Sequence, residues 1–258
     1  MTEDQLPATF NYDASQDFED MDAEDTLTPR VKIAQALSPE VMDGIVSSGD
    51  IFVTSTSEVI IPRGAKKTCV PLAWWKEYIE WNPDRSDKKN RIISKSTDVN
   101  GELANRCRRR EKVINSDGKE VAAVQDTYNV MLLFPEISWS EMYMMSFSRT
   151  SHKVWKRMIN LAKSLKHDPD GQGRRPCPLF GAGYELFTQL EEGDGNRWFE
   201  PRFGPPEFLG LEHLQAISPI VEKLRENIDH LKAINSAEAE HDTDSGSSNV
   251  DESAMGSI

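Results

Sequence analysis

An α+β fold, mainly β, is what this sequence predicts: an OB-type barrel with an inserted amphipathic helix, a C-terminal helix and disordered acidic termini. Three observations point there. Short segments rich in β-branched and aromatic residues recur between turn signals from residue 51 to residue 148. A single amphipathic helical pattern follows them, and after it a two-strand hairpin pattern. That order suits an elaborated OB barrel, and other α+β folds share it.

The elements follow in chain order. Residues 1–28 carry nine acids and no base, with few aliphatics and no helical period, and read as a disordered arm. At Pro29 the composition changes to Arg30-Val31-Lys32-Ile33, where an ordered domain spanning 29–235 is expected to begin. Ile51 to Ile61 is β-branched and bounded by Ser48-Gly49-Asp50 and Pro62-Arg63-Gly64, so it reads as one strand. Val70 to Trp81 is the next, with Pro71 pointing to an edge position or a strand start. Glu111 to Val124 reads as a hairpin turning at Ser116-Asp117-Gly118. Thr127 to Phe134 is apolar on both faces and is expected to be central; Trp139 to Ser148 follows it.

A helix fits residues 150–166. Val154, Met158, Leu161, Ala162 and Leu165 form its apolar stripe, with Ser148 or Thr150 capping its start. Phe187 and Trp198 then fall in two strands joined by Gly193-Asp194-Gly195-Asn196. A final helix is expected over 219–234, with Pro219 in its first turn and Val221, Leu224, Ile228 and Leu231 as its seam. Residues 236–258 hold six acids and no Lys or Arg, and read as a second disordered arm.

The 258 residues carry a net charge of −13, but that figure averages segments of opposite sign. Outside the two arms stand 28 acids against 30 bases, a net of +2. Residues 63–112 hold fourteen bases against seven acids, and residues 149–175 eight against two. The acidic total therefore does not exclude an anionic ligand. The longest apolar run, Val130 to Phe134, is far short of the ~20 residues of a spanning helix. The first base is Arg30, so no secretory leader is expected. Cys69, Cys107 and Cys177 stand far apart, which fits a reducing cytoplasm rather than a disulfide framework.

No nucleotide-binding, nucleophile-elbow or zinc-protease motif occurs, so no catalytic residue, metal ligand or cofactor is assigned and no enzyme is expected. One lookalike stands against this. Pro83-Asp84 followed by Asp117-Gly118-Lys119 resembles a Mg²⁺-dependent nuclease core, in which two carboxylates hold the metal and a lysine positions water. A hairpin turn explains the second element equally well.

The nucleic-acid pattern is fuller. Strand alternation puts Trp74, Lys76 and Tyr78 on one face and Trp75, Ile79 and Trp81 on the other. A cation between two rings is how a surface stacks successive bases while following their phosphates. Tyr143 and Phe147, with Trp139, share a strand face that would extend the platform, unless these rings fill the core. Arg85, Lys88, Lys89 and Arg91, then Arg106, Arg108, Arg109 and Arg110, read as basic loops beside it that would neutralise phosphates.

These features resemble phage-encoded single-stranded-DNA-binding proteins. The likeness runs over most of residues 29–203: Pro29 to Ile33 with Leu37-Ser38-Pro39-Glu40-Val41, the Trp74 to Trp81 strand, the Met142 to Phe147 strand leading into Thr150-Ser151-His152-Lys153, and beyond these the acidic C-terminal arm. The resemblance implies an OB-type fold and sequence-tolerant binding of single-stranded DNA in replication or recombination, in the host cytoplasm. It also implies an acidic C-terminal tail that recruits replication or recombination proteins; self-gating of the cationic groove by that tail is a further expectation from charge. The alternative is an acidic phage protein that binds and modulates a host enzyme. No membrane contact is expected, and oligomeric state is left open.

Overall fold

The computed structural model describes residues 28–84, 91–168, 171–193 and 195–228. In chain order these form β1 (Arg30–Ile33), α1 (Pro39–Met42), β2 (Ile51–Val53), β3 (Val59–Ile61), β4 (Lys67–Trp81), β5 (Ile92–Ser96), α2 (Glu102–Arg108), β6 (Lys112–Ile114), β7 (Glu120–Ala122), β8 (Val124–Leu133) and β9 (Met142–Ser148). They continue with a 3-10 turn at Arg149–Ser151, α3 (His152–Ser164), the short pair β10 (Lys166–His167) and β11 (Arg175–Pro176), β12 (Ala182–Gly193), β13 (Asn196–Phe208) and α4 (Leu211–Glu226). The result is mainly β: one curled, half-barrel sheet in the order β13-β12-β4-β8-β9-β1-β2-β3, with β5 also on β4. Residues 1–27 of the first arm, the end of the expected final helix from 229 with Leu231, the whole second arm, and the basic residues Arg85, Lys88 and Lys89 lie outside the described residues.

β8 sits at the centre, as its two apolar faces require, pairing with β4 from Val124 to Leu133 and with β9 from Thr127 to Leu133. Pairing sorts the side chains by face. Trp74, Lys76 and Tyr78 oppose Val130, Tyr128 and Asp126, and across β8 those rows continue to Met145 and Phe147. Trp155 and Met158 of α3 pack on this face with Val130, Leu132, Tyr143, Met145 and Phe147. On the other face, Ile217, Val221 and Leu224 of α4 cover Val70, Leu72, Trp75, Met131, Leu133 and Met144. Pro71 lies where the ladder to β8 shifts register, between the stretches of β4 that pair with β12 and with β5, so its missing N–H costs the sheet little.

Gln35 draws the curl together with a side chain. Its amide nitrogen donates to the Phe199 carbonyl and its amide oxygen accepts the Phe199 N–H, both at 2.9 Å, as a neighbouring strand would. The adjoining turn passes against the same ring. Gly49 has φ +98°, and a Cβ there would stand 2.8 Å from Phe199, so only glycine fits. The outer strand β13 carries Pro201, Pro205 and Pro206.

Four expectations change. Residues 51–61 are two strands, because Thr54 to Glu58 turn the chain and Ser57 takes φ 59°. The final helix begins at Leu211, not at Pro219, which lies inside it. A proline in mid-helix removes a single donor, and the buried seam of Ile217, Val221 and Leu224 outweighs that loss. Residues 106–108 belong to helix α2 instead of a loop. In α3 the fully buried side chain is Trp155, while Leu161 is exposed. The hairpins at 112–122 and 182–208, the central β8 and the helix after β9 stand as the sequence predicts.

Candidate nucleic-acid interface

Two helices sit on the face of Trp74, Lys76 and Tyr78. α2 lays Leu103 and Ala104 on Tyr78 and Val124, and α3 covers the rings of β9. Between them runs a strip of sheet made by Trp74 and Lys76 of β4 and Asp126 and Tyr128 of β8. Trp74 is 37% exposed and is the most open ring on this face. It tilts on Tyr128 at 5.6 Å and meets Trp155 edge-on at 6.4 Å, so the core holds its orientation.

Charge in the strip is organised around Asp126. The Lys76 ammonium lies 2.5 Å from its carboxylate, and the His152 Nδ1 3.4 Å away. Lys76 also stands over the rings of Tyr78 and Tyr128, and Lys156 over Tyr128 from the helix side. Burial works to lower the Lys76 pKa, but the bond and charge of Asp126 outweigh it and hold the ammonium above its ordinary value. For His152 burial wins: its pKa falls below the usual imidazole value despite Asp126, with Lys156 and Lys76 adding to the fall. Burial and then Asp126 push the Cys107 thiol up. The imidazole of His152 also lies against the Tyr128 ring, with centroids 4.7 Å apart.

The predicted binding residues divide. Tyr78, Tyr143 and Phe147 are on the predicted face but buried, the first beneath α2 and the others beneath α3, so none offers a ring surface to a base. Arg106 is also corrected: its guanidinium is held by Glu80 at 2.7 Å and Glu111 at 2.9 Å, on the inner side of α2. Lys76 is present in the strip but paired. Arg108, Arg109 and Arg110 are exposed at the end of α2, whereas Arg91 is half-buried at the start of β5. Tyr128, His152 and Lys156 are members that the sequence reading missed. Alternation along β8 together with the basic stripe of α3 was the signal available for them.

The nuclease lookalike is brought together in part. Asp84 accepts the Ser116 N–H at 2.6 Å, beside Asp117, and that bond holds its carboxyl below the usual carboxylate range. The carboxylate thus serves the turn. No group of three or more potential metal-ligating side chains occurs among the described residues.

A family model, described as Pam3 phage gp34-like protein, matches residues 1–228. The chain belongs to that family. As a gp34-like phage protein it shares this match with the whole described region and with the first acidic arm, while the second arm lies past the matched span. No curated protein and no solved structure matches it. No helix among the described residues is long and apolar enough to cross a membrane.

Proposed function

We propose that this gp34-like protein binds single-stranded DNA without sequence preference in phage replication or recombination, in the host cytoplasm. The strand lies along the strip between α2 and α3. The observation that carries this reading is the open Trp74 ring beside Lys76 and Tyr128, flanked by cationic helices on both sides. A base stacks on Trp74 and meets Tyr128 at the strip's floor, while Arg108, Arg109 and Arg110 on one side and Lys153, Lys156 and Arg157 on the other neutralise phosphates. The curled sheet then plays the part that an OB-type barrel plays in other single-strand binders. The acidic tail at 236–258 recruits replication or recombination proteins, or competes for the same cations.

Titration with oligo-dT at several salt concentrations tests this. Tryptophan fluorescence should be quenched, affinity should fall steeply with salt, and Trp74→Ala should abolish most of the quench. Unchanged fluorescence and no binding at low salt would sink the reading.

A second reading has its own observation. Leu37, Met42 and Ile45 are exposed around α1, an apolar patch suited to a protein partner such as a host enzyme. On that reading oligo-dT does not bind, and Met42→Asp abolishes a complex formed with the host enzyme.

A further inference from the structure

Among the described residues two aromatic side chains are exposed, Trp74 at 37% and Phe208 at 44%. The strip accounts for the first. Phe208 is the last residue of β13, where it opposes Ala182, whose side chain packs beneath α3. One face of its ring is covered by the His167 imidazole, stacked at 4.4 Å and 9°. The His167 Nε2–H donates to the Leu209 carbonyl at 3.0 Å, so the imidazole is fixed and holds the ring in place. A ring held in one orientation and left open on its other face is a surface on which a base can stack.

α3 joins the two exposed rings. Its first residue, His152, lies against Tyr128 in the strip, with centroids 4.7 Å apart, and His167 follows shortly after its last residue, Ser164. Thirteen residues carry the helix about 20 Å between these ends. Its outer side presents Lys153, Lys156, Arg157 and Lys163, with Lys166 next on β10, all exposed. No acid occurs from Arg149 to His167. Lys153, Arg157, Lys163 and Lys166 have no ion pair among the described residues, whereas Lys32, Lys66, Lys76, Lys112 and Arg197 are each bound to a carboxylate. Nearby acids are turned elsewhere: Asp168 accepts the Gly173 N–H at 3.1 Å, and Glu207 alternates to the other side of β13.

A row of uncompensated cations that ends at an open ring repeats, at the far end of α3, the pairing of charge and ring found in the strip. Resting on the single-strand reading above, we propose that Phe208 is a second base-stacking residue. The DNA strand runs from Trp74 along the outer side of α3, its phosphates on Lys163 and Lys166, to reach it.

Titration with oligo-dT of two lengths tests this: about 4 nucleotides, too short to reach from one ring to the other, and about 16. Phe208→Ala should weaken the longer about fivefold or more and the shorter less than about twofold. Phe208→Leu should lose as much, and Phe208→Tyr should keep the affinity, because stacking needs a π-face and not merely an apolar contact. Lys163→Gln combined with Lys166→Gln should take about 1.4 from the slope of log affinity against log salt, on the longer oligonucleotide only. Undiminished affinity of Phe208→Ala or Phe208→Leu for the longer, or equal losses on both lengths, overturns the stacking assignment. An unchanged slope overturns the path along α3. Failure of the unaltered chain to bind either length strikes the single-strand reading itself.

Discussion

Phe147 and Trp74 stand on the same face of one sheet, and only Trp74 is open to a ligand. β9 presents Tyr143 and Phe147, and α3 lies over both. β4 presents Trp74 next to Lys76, and the strip there is left uncovered between α2 and α3. The difference is one of cover, not of strand chemistry. Alternation decides which face a ring occupies, and the helices laid over the sheet decide whether that face is core or surface.

The largest break in this comparison is expected at Phe147. It is fully buried and stacks on Trp155 at 5.3 Å, so Phe147→Ala should cost about 3–5 kcal/mol in urea unfolding. Next comes Gln35→Ala, which leaves the Phe199 N–H and carbonyl without their amide partner; about 1–3 kcal/mol is expected in the same measurement. Trp74→Ala should cost about 2 kcal/mol, for the part of the ring that packs on Tyr128 and Trp155, while weakening oligo-dT binding about tenfold or more. Equal losses at Phe147 and Trp74 would erase the distinction between sealed and open rings.

The smallest effect sharpens the comparison through pH. His152 borders the open strip with its pKa held below the ordinary 6.5 by burial, so the unfolded chain takes this proton more readily than the folded one. Its contribution to stability is complete above pH 6.5 and is lost as pH falls through the lower folded value. Glu80 adds a second window. Burial raises its pKa, but the Ser94 hydroxyl and the Arg106 guanidinium outweigh that and hold it below 4.5, so its contribution is lost as pH falls beneath that value. Urea midpoints measured from neutral to acid pH should fall in both windows, and His152→Leu should flatten the upper one only.

Much of the fold was legible because it is written locally. The turn at Gly118 with φ +74°, the 193–196 turn and the two-faced apolar run of β8 each carry their signal within a few residues. α2 was not legible: only Leu103 and Ala104 of its seven residues are buried, too few to show a period among polar neighbours. Pro219 misplaced the start of α4, since a proline reads as a first-turn residue unless tertiary burial holds it inside a helix. At the candidate site, the face shared by Trp74, Lys76 and Tyr78 was readable from alternation. The cover over Tyr78 and the Glu80–Arg106–Glu111 bonds were not, because both depend on how a later helix returns to the sheet.

The three prolines of β13 bear on crowding at high protein concentration. An outermost strand is where a neighbouring molecule would ordinarily graft itself on and start a fibre, using backbone donors as the template. Pro201, Pro205 and Pro206 have none to lend. Copies crowded together would therefore be kept from fusing along this margin.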